Sequence, residues 1–171
     1  MLPGEQLWFD LTIPTSDPLW CDDVSASFGW LGQVFVDAFA DLGYRAQAHE
    51  GPSQHVDLGR ICCFAGIGSG EVVIHGRKVV GLSQRRTREG ARFQCLTYRR
   101  FAPQELLSAL ADEIDTQPLS AQLVDTVGVF GDTNLLFDTV VQHLDRLDFA
   151  DAHVDDDWPA SNQPVSAHSN G

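Results

Sequence analysis

Glu71-Val72-Val73-Ile74-His75-Gly76-Arg77-Lys78-Val79-Val80-Gly81-Leu82-Ser83-Gln84-Arg85-Arg86 joins two β-prone runs through a tight-turn signal at His75-Gly76. The valines and isoleucine favour extended backbone. A two-residue connection ending in glycine is the common way to reverse a strand. The polar residues from Arg86 to Gly90 form a second turn, and Ala91 to Tyr98 reads as a third strand. Residues 71–98 therefore predict a three-stranded antiparallel meander.

On the N-terminal side, Gly66-Ile67-Gly68-Ser69-Gly70 is a glycine-rich turn after the apolar run Ile61-Cys62-Cys63-Phe64-Ala65, and Gly51-Pro52-Ser53-Gln54 is a polar loop. Residues 44–49 suit a short strand. From Val24 to Leu42 the apolar positions Phe28, Leu31, Val34, Phe35, Ala38, Phe39 and Leu42 recur with helical spacing. Asp22 or Asp23 offers the N-cap and Gly43 the stop. Gly29 and Gly32 cost helix stability and so point to close backbone packing. Leu7 to Ile13 predicts a strand closed by Pro14 and apolar enough to be buried on both faces. On the C-terminal side, Pro103 suits the first position of a helix running to about residue 110. A second helix fits residues 120–127. Asp132-Thr133 caps a third over residues 134–147, with Leu136, Phe137, Val140, Val141, Leu144 and Leu147 on its apolar side. The order predicts an α+β domain over residues 1–149 with a mixed, mainly antiparallel sheet and flanking helices. Residues 150–171, acidic and then rich in Ser, Asn and Pro, predict a disordered tail.

The 171 residues suit one core, and 43% apolar content is that of a globular chain. No run approaches the roughly 18 apolar residues of a membrane span. The first residues carry neither a basic nor an apolar signal segment, so a cytoplasmic location is expected. The four cysteines, Cys21, Cys62, Cys63 and Cys95, lack metal-site spacing and read as free thiols, and no metal site is expected. Net charge is -13, yet eight of the eleven basic residues fall between Arg77 and Arg100, among them Lys78, the only lysine. A local cationic site in an acidic protein suits a small anionic ligand. Nucleic-acid binding would call for a wider basic surface.

Lys78 stands at the start of a strand, after the turn. An ammonium there can neutralise a phosphate or polarise an acyl carbonyl. Gly81 lets a ligand approach the main chain, and Ser83 and Gln84 can donate or accept hydrogen bonds. A surface lysine in a hairpin fits the spacing equally well.

The same run, followed by Gly90-Ala91-Arg92-Phe93-Gln94, resembles the lipoate-protein ligase family, which carries G-R-K-[VI]-[VS]-G-x-[SA]-Q-R-R and then a strand beginning G-A-x-x-Q. Pro3-Gly4-Glu5-Gln6-Leu7-Trp8, Ile13-Pro14, Asp17-Pro18-Leu19-Trp20 and Asp22-Asp23-Val24 are similar to actinobacterial-type members, and the likeness covers roughly residues 2–110. The resemblance implies the class II synthetase/biotin-lipoate ligase catalytic fold. It implies transfer of a lipoyl or octanoyl group, through an acyl-adenylate made from ATP with Mg2+, onto a lysine of a carrier domain. That carrier would be the lipoyl domain of a 2-oxoacid dehydrogenase or the glycine cleavage protein. It places Lys78 at the activated acyl group, with Gly76, Arg77, Gly81, Ser83, Gln84 and Arg85 around the ligand. An ATP-independent transferase and a non-catalytic acyl- or carrier-binding domain are the alternatives. The family's R-R-x-[ST]-G-G-G segment is missing ahead of Pro3, so a domain incomplete at its N-terminus is expected. Cys95 stands where many members have histidine. It admits an acyl-carrying thiol or, more simply, a core residue.

Overall fold

The meander lies at the centre of the molecule. A computed structural model describes residues 5–52, 63–108 and 117–147. Within them, strands β1 (Gln6–Pro14), β2 (Gln47–Ala48), β3 (Val72–Ile74), β4 (Arg77–Arg86) and β5 (Gly90–Tyr98) form one sheet in the order β1-β5-β4-β3-β2. The helices are α1 (Gly29–Asp41), α2 (Pro103–Ser108), α3 (Gln117–Thr126) and α4 (Thr133–Arg146). The architecture is α+β, as the element order predicts. The expected mixed sheet is corrected: all four strand pairings are antiparallel, and parallel contact is confined to a single bridge from Lys78 to Val127. The connection through α1 joins β1 to β2 at the opposite edge of the sheet, and every neighbouring pair is therefore antiparallel. The expected tail at 150–171, the loop residues beyond 52 and the end of the helix after Pro103 lie outside the described residues.

Most of the local signals act as read. His75 and Gly76 both have positive φ, 51° and 76°, the requirement of a two-residue turn whose twist matches the strands it joins. The expected cap at Asp22 or Asp23 is corrected: the N-cap of α1 is Phe28, while the Asp23 side chain accepts from the amides of Ser25 (2.7 Å) and Ala26 (2.9 Å) further upstream. A 3-10 turn (Ala26–Phe28) follows, and the α-helix begins only at Gly29, later than the periodicity suggests. Asp132 caps α4 by accepting from the Leu135 amide at 3.0 Å. Gly32 packs where a methyl group would stand 2.4 Å from the Gly70 carbonyl oxygen, so α1 lies directly against the glycine-rich turn.

Two cores flank the sheet. Leu31, Val34, Phe35, Ala38 and Phe39 of α1 and Leu136 and Val140 of α4 pack with Val72, Val80, Leu82, Ala91, Phe93 and Cys95. A smaller cluster holds Phe64, Ala65, Leu107, Leu123 and Val127, with Leu96 and Tyr98 against it. β1 buries Ile13 but leaves Trp8, Asp10 and Thr12 exposed. The expectation of a strand covered on both faces is therefore corrected: its apolar composition overstates its burial because one side of this edge strand faces solvent.

Candidate functional site

Strict alternation along β4 would put Lys78 on the same side as Val80 and Leu82, inside the larger core. The register shifts instead: Val72 faces Val80, whereas Val73 faces Lys78, so one residue is extra on β4. Such a bulge turns the strand locally and re-aims a side chain. Val79 and Val80 both join the larger core, while Lys78 and Gly81 turn toward Phe64 on the opposite side. Five consecutive residues, Lys78 to Leu82, are buried as a result.

The Lys78 side chain is only 3% exposed. Its Nζ donates to the Glu71 carboxylate, 3.0 Å from Oε2 and 3.2 Å from Oε1, and to the Gly66 carbonyl at 2.5 Å. It also lies 4.5 Å from the centre of the Phe64 ring, a cation–π distance. Glu71 is 7% exposed and, besides the lysine, is held by two amides: Gly68 N–H donates to Oε2 at 2.6 Å and Leu82 N–H to Oε1 at 3.1 Å. The glycine-rich turn thus supplies both a carbonyl for the cation and an amide for the anion. Gly81 completes the packing: a methyl group there would meet the Phe64 ring at 2.7 Å. The Lys78 main chain is tied as well, its carbonyl accepting from the Gly128 amide at 2.8 Å beyond the end of α3.

The other residues singled out by sequence are spread along the strand. Gly76 lies at the outer turn and borders a cleft of about 570 Å³ between α1 and β2, lined by Val36, Ala40, Tyr44 and Val73 among others. Arg77 is half exposed and faces Asp125 at 3.7 Å. Gly81 adjoins Lys78. Ser83 is exposed beside Gln94, and Arg85 is exposed opposite Arg92. Gln84 points to the other side of the sheet, where Nε2 donates to Ser27 Oγ at 3.1 Å. A second cleft, of about 700 Å³ between α2 and α3, includes Gln104, Leu107 and Val124. Neither cleft includes Lys78. Of the seven candidates, the structure brings together Lys78 and Gly81. Glu71, Gly66, Gly68 and Phe64 were not singled out, because bulge and turn geometry, which no spacing encodes, brings them to the ammonium. The one available signal was an acid between a glycine and two valines.

The basic window likewise does not converge. Arg86 secures the loop before α1, donating to the carbonyls of Cys21 (2.6 Å) and Asp22 (2.8 Å) and stacking 4.7 Å from the Trp20 ring. Arg92 pairs with Asp10 and Arg100 with Glu5. Cys95 is 1% exposed within the larger core. Burial, with a smaller contribution from the Asp10 charge, pushes its thiol up to about 12. A thiol so held is inert at neutral pH, which decides between the two readings of Cys95 in favour of packing.

No family model matches the chain, and no curated protein matches its sequence. Among solved structures, it is similar to a candidate lipoate protein ligase from T. acidophilum with lipoic acid bound, at a TM-score of 0.50 and 17% identity. The match covers 83% of this chain and 53% of that one, so the chain spans about half the length of its structural neighbour. A second structure of the same archaeal protein gives a TM-score of 0.47 at 16% identity, covering 83% and 52%. The chain therefore shares its fold with about half of that archaeal protein. No helix among the described residues is long and apolar enough to cross a membrane.

Proposed function

We propose that the protein is a lipoate-protein ligase-like enzyme that attaches a lipoyl or octanoyl group to a carrier-domain lysine through an acyl-adenylate, within the class II synthetase/biotin-lipoate ligase fold. The observation that carries this reading is the placement of the chain's only lysine, built by a β-bulge into a buried polar cradle at the glycine-rich turn. The resemblance of the surrounding G-R-K-V-V-G-L-S-Q-R-R run and the shared fold supply the chemistry. In that mechanism the Lys78 ammonium faces the acyl phosphate, offsets its charge and stabilises the oxyanion that forms when the carrier amine attacks the acyl carbon. The amine displaces AMP, forming the amide and releasing its proton. Mg2+ would travel with the nucleotide phosphates, as it commonly does where phosphates supply part of its oxygen shell. The carrier would be a lipoyl domain of a 2-oxoacid dehydrogenase or the glycine cleavage protein.

The test is incubation with lipoate, Mg-ATP and an apo-lipoyl domain. Pyrophosphate release together with a lipoyl mass increase on the carrier is the expected result. Transfer from an octanoylated carrier without ATP would replace the ligase by a transferase. No modification of the carrier under either condition would overturn catalysis.

One observation favours a second reading, a non-catalytic acyl- or carrier-binding domain: the ammonium is already neutralised by Glu71. Carrier binding without modification in the same assay is its signature.

A further inference from the structure

The Lys78–Glu71 pair raises a question that the proposed function leaves open, namely how an anionic ligand reaches an ammonium already engaged by a carboxylate. Three features bear on it. The ammonium is shared between Glu71 and Gly66 O in a buried setting, so a second anion arriving there meets Glu71 at close range. Two carboxylates or phosphates crowded on one cation repel, and one of them must leave or take up a proton. Glu71, however, is also anchored by the Gly68 and Leu82 amides, one on each oxygen, and neither bond involves the lysine. The Gly66 carbonyl and Gly68 amide both belong to the turn Gly66-Ile67-Gly68-Ser69-Gly70, so the pair and the turn are one unit.

We propose that Glu71 is an internal occupant of the anion seat at Lys78, and that a ligand carboxylate or phosphate binds by taking the ammonium from it. Glu71 is thus a positioning residue. In the unliganded protein it holds Lys78 inside the fold, and in the complex it remains on its two amides while the ammonium serves the ligand. The proposal rests on Lys78 being the ligand-contacting group of the function proposed above. Its consequence is that the internal pair weakens anion binding by the free energy needed to separate it.

The experiment uses the full chain with lipoate, acetate and inorganic pyrophosphate as probes, measured by calorimetry. Glu71→Gln keeps the size of the side chain and one acceptor while removing the competing charge. It is expected to bind lipoate and pyrophosphate about tenfold or more tighter than wild type, within the usual range of coupling between sites, and the gain should vanish in Glu71→Gln/Lys78→Met. Equal or weaker binding by folded Glu71→Gln, or no binding of any probe, overturns the proposal. Should Glu71→Gln fail to fold, the wild-type protein decides. Lys78 is the only lysine, so isotopically labelled lysine gives one side-chain ammonium signal in its NMR spectrum. A shift of that signal on saturation with pyrophosphate supports the exchange, and a fixed signal overturns it. The lipoate reading is judged separately. Equal affinity for acetate and lipoate, with the gain in Glu71→Gln intact, removes the acyl specificity but not the exchange. Strong preference for lipoate with no difference between wild type and Glu71→Gln removes the exchange but not the acyl specificity.

Discussion

Lys78 and Glu71 have to be considered as one group in any substitution. Removing the lysine alone leaves a carboxylate buried at 7% exposure with only its two amides for compensation. Breaking a buried pair in this way typically costs about 3–5 kcal/mol, whereas replacing both partners by neutral groups of similar size is often close to neutral. Lys78→Ala should therefore lower the thermal midpoint sharply, and Lys78→Met/Glu71→Gln should recover most of the loss. Denaturant titration of the single and double variants checks this, and additive losses would show that the two side chains act separately. Cys95 gives a second prediction at this scale. Its folded thiol titrates at about 12 against an ordinary value of 9.0. Above pH 9 the unfolded chain loses this proton while the native chain keeps it. Stability is then complete below about pH 9 and falls as pH rises toward 12, at up to about 1.4 kcal/mol per pH unit from this group. Cys95→Ala should show a shallower decline over that window, although it starts less stable. Iodoacetamide at pH 8 should leave Cys95 unmodified in the native protein, and peptide mass mapping reads this directly.

Among the elements, β4 decides the site. Its two ends follow from local chemistry: a positive-φ pair at His75-Gly76 and a polar turn before Gly90. Its middle does not. The extra residue that sends Val79 and Val80 to one side and Lys78 and Gly81 to the other is set by what each side packs against, α1 and α4 on one and Phe64 on the other. Gly81 is the point of closest approach. Gly81→Ala would drive a methyl group into the Phe64 ring, 2.7 Å away, where overpacking costs typically about 1–3 kcal/mol. The ring would shift and its 4.5 Å contact with the ammonium would open. Thermal melts should show that loss, and Phe64→Leu in the same chain should restore part of it by making room. An unchanged melt for Gly81→Ala would mean that the ring yields freely.

Across the whole molecule, net charge is -13, and the basic window from Arg77 to Arg100 reads in one dimension as a single cationic site. In three dimensions it is dispersed. Arg86 holds the loop before α1, Arg77, Arg92 and Arg100 face Asp125, Asp10 and Glu5, and Lys78 is enclosed with Glu71. The window runs over β4, a turn and β5, so successive charges leave both faces of the sheet and both of its turns.

The sequence by itself determined the meander, the turn at His75-Gly76, the cap at Asp132 and the helical stripe of α1, and it singled out Lys78. Each of these rests on neighbours within a few positions, where residue type acts directly on the backbone. Only the tertiary structure decided that Glu71 faces Lys78, that Gln84 turns to the opposite side, that β1 has an exposed face and that the sheet is antiparallel throughout. Those outcomes depend on a one-residue register shift and on helices packing from both sides, where contacts between distant segments outweigh local preference.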